Sequence, residues 1–79
     1  MKKQVMKVLR LAKKDGDTTA RDTLDCIKKT GLMDVPMKCD GSCYEWTYFK
    51  WGFLKVWYNG ATDEVKVWYD HNTCWTLCE

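Results

Sequence analysis

Between Lys2 and Lys14 the apolar residues Val5, Val8, Leu9 and Ala12 recur at i, i+3, i+4 and i+7, the spacing that gives a helix one buried stripe. A first helix is predicted there. Asp15-Gly16-Asp17 ends it, because glycine accepts the left-handed conformation that closes a helix C-terminus. Thr18 or Thr19 is placed to cap a second helix, with Asp22 three residues after Thr19 in a variant of the capping box. Ala20, Leu24 and Ile27 form its inner stripe. Gly31 ends this helix, and residues 32–43, with the only proline (Pro36) and Gly41, read as a connecting loop.

From Tyr44 onward the period falls from 3.6 to 2 and the residues become aromatic and β-branched, which suits a pleated, half-buried surface. Strands are expected over 44–50, 53–58, 65–70 and 73–78, with turns at Trp51-Gly52, Asn59-Gly60-Ala61 and Asp70 to Asn72. Two helices followed by such a meander bury both apolar sets only if the helices cover one side of the sheet. The expected fold is therefore α+β: two N-terminal helices packed on one face of a three- or four-stranded antiparallel β-meander. One domain is expected over 1–79, with a helical part at 1–31, a connecting loop at 32–43 and an antiparallel sheet at 44–79.

Alternation then assigns the faces. Leu54, Val56 and Tyr58 belong with Val65, Val67 and Tyr69 on the inside, so Lys55, Trp57, Lys66 and Trp68 point outward. Trp46, Tyr48 and Lys50 share the outward parity of the first strand. An uncovered face rich in tryptophan marks a contact surface. These seven residues are the candidate partner-binding site: aromatic rings anchor protein interfaces at low entropic cost, and rings interleaved with lysines also suit single-stranded nucleic acid.

Composition supports a folded chain: of 79 residues, 46% are hydrophobic and 14% aromatic, five of them tryptophan. The net charge of +2 is unevenly spread. Residues 1–38 hold ten Lys or Arg against five Asp, a net +5, whereas residues 39–79 hold three Lys against six acids, a net −3. On the first helix Lys3, Lys7, Arg10 and Lys14 are spaced 4, 3 and 4 apart and form a basic stripe about 16 Å long, the second candidate surface for a nucleic-acid backbone. No recognition-type helix is expected before the strands, so this reading rests on charge alone.

A lysine or arginine interrupts every N-terminal apolar run, so neither a signal peptide nor a membrane span is expected, and the location expected is intracellular, in the cytoplasm. The five cysteines are then thiols or metal ligands. Cys39-Asp-Gly-Ser-Cys43 and Cys74-Trp-Thr-Leu-Cys78 are two CxxxC pairs able in principle to hold one structural zinc ion through Cys39, Cys43, Cys74 and Cys78; free thiols and disulfides are the other readings. His71, the only histidine, stands beside Asp70 and three residues before Cys74, but reads as a turn residue. No phosphate loop, acid pair or HExxH motif occurs.

The expected function is that of a small non-enzymatic binding protein, an inhibitor or adaptor that docks a protein on its aromatic sheet face as a monomer or small homo-oligomer. The alternative is a nucleic-acid-binding module using the first-helix stripe, the Trp and Lys face, or both. Small size, tryptophan density and the lack of catalytic motifs are also the style of host-directed proteins encoded by bacteriophages.

Overall fold

The computed structural model describes residues 1–69 and 74–77. The predicted helices are present as α1 (Lys2–Lys14) and α2 (Thr18–Thr30). Val5, Val8 and Leu9 of α1 are buried as the periodicity requires, joined by Met6, and Ala20, Leu24 and Ile27 of α2 are buried with them. The cap of α2 differs from expectation. Asp17, not a threonine, is the N-cap; its Oδ1 accepts the Ala20 N–H at 3.0 Å, because its extended backbone turns the carboxylate back over the free amides of the first turn. Gly31 closes α2 at φ 66°.

The segment expected to be a plain loop holds a short 3-10 turn, Leu32–Asp34, and then a strand, β1 (Lys38–Cys43). It is followed by β2 (Trp46–Trp51), β3 (Leu54–Asn59), β4 (Glu64–Trp68) and β5 (Cys74–Leu77). Among the described residues these form one antiparallel sheet in the order β1-β2-β3-β4-β5, the expected meander lengthened by one edge strand. Every residue of β1 is exposed, so its pairing with β2 rests on backbone hydrogen bonds and a tight turn at Tyr44-Glu45, not on an apolar face.

Both helices cover one side of this sheet, with α1 against β4 and β5. Their stripes meet Trp51, Leu54, Val56, Val65, Val67 and Trp75 in a single core, and Phe49, Tyr58 and Tyr69 pack at its margin. Trp51, expected in a turn, is the last residue of β2 and fully buried. Its indole N–H donates to the carbonyl oxygens of Leu32 and Val35, both at 2.9 Å, and pins the linker to the sheet. Trp75 donates from β5 to Asp17 Oδ2 at 2.9 Å, so one carboxylate caps α2 with one oxygen and holds the last described strand with the other. No helix among the described residues is long and apolar enough to cross a membrane.

Candidate functional site: the open face of the sheet

Residues directly opposite in an antiparallel pair share a face, so the register identifies what lies on the side away from the helices. Nearest the hairpin tips runs a row of Cys43, Trp46, Asn59 and Glu64; the middle row is Gly41, Tyr48, Trp57 and Lys66; nearest the Gly52 turn are Lys38, Lys50, Lys55 and Trp68. All seven sheet residues expected to face outward, Trp46, Tyr48, Lys50, Lys55, Trp57, Lys66 and Trp68, therefore lie together on this face. The five tryptophans divide by parity: Trp51 and Trp75 enter the core, and Trp46, Trp57 and Trp68 do not.

The aromatic side chains form a cluster centred on Trp57. Tyr48 meets it at 5.0 Å and 61°, Trp46 at 6.4 Å and 67°, and Trp68 at 5.6 Å and 49°. Tilted and edge-to-face pairs of this kind each contribute about 0.5–1.5 kcal/mol beyond the area they bury. The four rings are half-buried because they cover one another. Gly41 of β1 lies beside the Tyr48 ring at φ 148°, a backbone conformation that residues with a side chain rarely adopt. The Trp68 indole N–H is shielded from solvent and has no acceptor among the described residues, an arrangement that costs on the order of 1–3 kcal/mol.

The lysines of this face fall into two kinds. Lys66 lies 3.6 Å from Glu64 Oε1 and 5.2 Å from the centre of the Trp46 ring, so its charge is met within the chain. Lys38, Lys50 and Lys55 are exposed and stand side by side on three adjacent strands, and no carboxylate among the described residues forms an ion pair with them. Like charges directly opposite across strands are destabilising. Lys38 escapes prediction from sequence because the segment around it, Lys-Cys-Asp-Gly-Ser-Cys, has no alternating apolar pattern and several residues that strands disfavour.

The hairpin ends beside the face are built by hydrogen bonds of specific side chains. Asn59 Oδ1 accepts the N–H groups of Ala61 at 2.9 Å and Thr62 at 3.3 Å, and the Gly60 N–H donates to Glu45 O at 3.1 Å, which ties the two tips together. Tyr58 donates to Asp63 Oδ1 at 2.7 Å; that bond, with the nearby carboxylate charge, raises the phenol above its ordinary value of 10.0. Tyr44 at the other tip is fully exposed at φ 55°, a conformation a bulky residue rarely adopts.

The remaining candidates are placed elsewhere. Lys3, Lys7, Arg10 and Lys14 are all exposed on α1, and at 3.6 residues per turn they occupy the side opposite Val5, Val8 and Leu9, turned away from the sheet. The two basic surfaces thus face opposite sides of the molecule. Of the four cysteines of the zinc reading, Cys39 and Cys43 lie in β1 and Cys74 in β5, the first and last strands of the sheet order. Within β1 the register shift at Asp40 puts Cys39 opposite Phe49 on the inner face and Cys43 opposite Trp46 on the outer one. Cys26, Cys39 and Cys43 are exposed free thiols. Cys78, and Asp70 with His71, lie outside the described residues.

Compared with protein families, curated proteins and solved structures, the chain matches none of them.

Proposed function

We propose that this chain is a non-enzymatic protein-binding module, an inhibitor or adaptor, and that the open sheet face is its docking surface. The observation that carries this reading is the gathering of Trp46, Tyr48, Trp57 and Trp68 on the face the helices leave bare. Three indoles on a surface this small are a costly arrangement for an isolated protein and a productive one for a complex, since tryptophan and tyrosine dominate the energetic centres of interfaces. An open sheet presents an extended contact area and no enclosing cleft, which suits a macromolecular partner.

Nucleic acid is the second reading, favoured by the lysines that border the rings. The cluster geometry weighs against it. Bases stack on open ring faces, and here the rings meet edge-to-face or tilted while the Lys66 ammonium covers Trp46. The α1 stripe faces away from the cluster, so a strand lying on the rings does not also meet that stripe.

The test is affinity capture with the wild-type chain and with a Trp57→Ala/Trp68→Ala variant. The variant is expected to lose the captured protein while keeping the wild-type circular dichroism spectrum, because neither side chain belongs to the core. Equal capture by both chains rejects the sheet face as the docking surface.

A further inference from the structure

The docking reading leaves the partner's chemistry open, and the row Lys38, Lys50, Lys55 bears on it. The three residues are paired in direct register across β1, β2 and β3, which puts their Cβ atoms about 4.5–5.5 Å apart. The chain therefore accepts repulsion between neighbouring ammonium groups, although carboxylates are close at hand. Glu64 is engaged by Lys66 and Asp63 by Tyr58, while Asp40, beside Lys38, is the residue the register skips. Among the described residues the positive row is left without a counter-charge.

The row also abuts the aromatic cluster. Trp68 stands directly opposite Lys55, and Tyr48 and Trp57 lie one step along the same face from Lys50 and Lys55. A single footprint thus offers three cations along one edge and an apolar anchor beside them. The Trp68 N–H, without an acceptor among the described residues, belongs to this footprint. A carboxylate brought to Lys55 supplies an acceptor for it, after a rotation that uncovers the N–H.

Resting on the docking reading, we propose that the partner presents an acidic amphipathic helix laid across β1 to β4, its carboxylates over Lys38, Lys50 and Lys55 and its apolar side chains on Trp57 and Trp68. Charge complementarity selects the sign of the partner. Spacing selects its form, since side chains at i and i+4 of a helix stand about 5–6 Å apart and match the lysine row, whereas same-side residues of an extended strand are about 6.6–6.8 Å apart.

Three probes test this against the full-length, nitrogen-15-labelled chain: a helical peptide with Glu at i, i+4 and i+7 beside a leucine stripe, the same peptide with Gln for Glu, and a single-stranded oligothymidylate. The Glu peptide is expected to shift the indole resonances of Trp57 and Trp68 and to bind about tenfold or more tightly than its Gln twin. A Lys50→Glu/Lys55→Glu variant is expected to lose the Glu peptide and to bind a Lys-for-Glu version instead; Lys50→Gln/Lys55→Gln, which adds no new charge, shows the same loss if the first variant folds poorly. Equal binding of the Glu and Gln peptides overturns the proposal, and the lysine row then only keeps the aromatic face from meeting its own copies. Tighter binding of the oligothymidylate overturns it in favour of nucleic acid. Indoles unmoved by all three probes overturn the acidic-helix partner alone, while the docking face itself falls only if the Trp57→Ala/Trp68→Ala variant still captures protein.

Discussion

Asp17 joins the first half of the chain to the last described strand. The indole N–H of Trp75, and after it the backbone N–H of Ala20, hold its carboxyl below the ordinary value of 3.8. Between the folded and unfolded values the unfolded chain binds more protons, so this contribution to stability is complete above the unfolded value and is lost as pH falls through the folded one. Thermal melts between pH 7 and pH 2 should therefore show an acid-side decline that Asp17→Asn flattens, and Asp17→Ala should lower the melting temperature at pH 7 by several degrees. Trp68 carries the opposite kind of residue-scale effect. Trp68→Phe keeps a ring in the cluster and removes a donor that has no acceptor among the described residues, so denaturant unfolding should give a stability equal to the wild type or higher by about 1 kcal/mol, while the partner is bound less tightly. A Trp68→Phe chain that unfolds markedly more easily would show that the indole is satisfied in the free protein.

Among the elements, the β2–β3 hairpin sets the geometry of both faces. Its two-residue turn begins at Gly52, φ 56°, beneath the buried Leu32, and a Cβ at that position collides with Leu32 Cδ1. Gly52→Ala meets both the left-handed backbone and this contact, and should cost about 1–3 kcal/mol in equilibrium unfolding; an unchanged midpoint would mean that the turn relaxes freely. The helices and the central strands were legible in the sequence because their burial follows a period. Val5, Val8 and Leu9 mark α1, and Leu54, Val56, Val65 and Val67 mark the inner face of β3 and β4. β1 was not legible, since an edge strand with six exposed residues is specified by its neighbour's unpaired backbone and leaves no trace in hydrophobicity. The cap of α2 escaped for a related reason: Asp17, Thr18 and Thr19 are all competent caps, and the choice of Asp17 is reinforced by Trp75, 58 residues away.

At the scale of the molecule, the assembled face holds every sheet residue that parity had put there, and it adds Lys38. Spacing along the chain says nothing about strand order, and Cys39 and Cys43 in β1 stand at the opposite end of the sheet order from Cys74 in β5. A partner held by aromatic anchors beside three lysines should respond only mildly to salt. Raising the salt from 50 to 200 mM is expected to weaken capture less than about tenfold, whereas a single strand neutralising four lysines would lose about fiftyfold over that range. Affinity measured across such a salt series separates the two. The order of synthesis adds a further consequence of the bond between Trp75 and Asp17. Both helices leave the ribosome long before β4 and β5, and at about 5–20 residues per second their apolar stripes wait several seconds for cover. The closing strand is thus the latch that ends the nascent chain's exposure to chaperones and proteases.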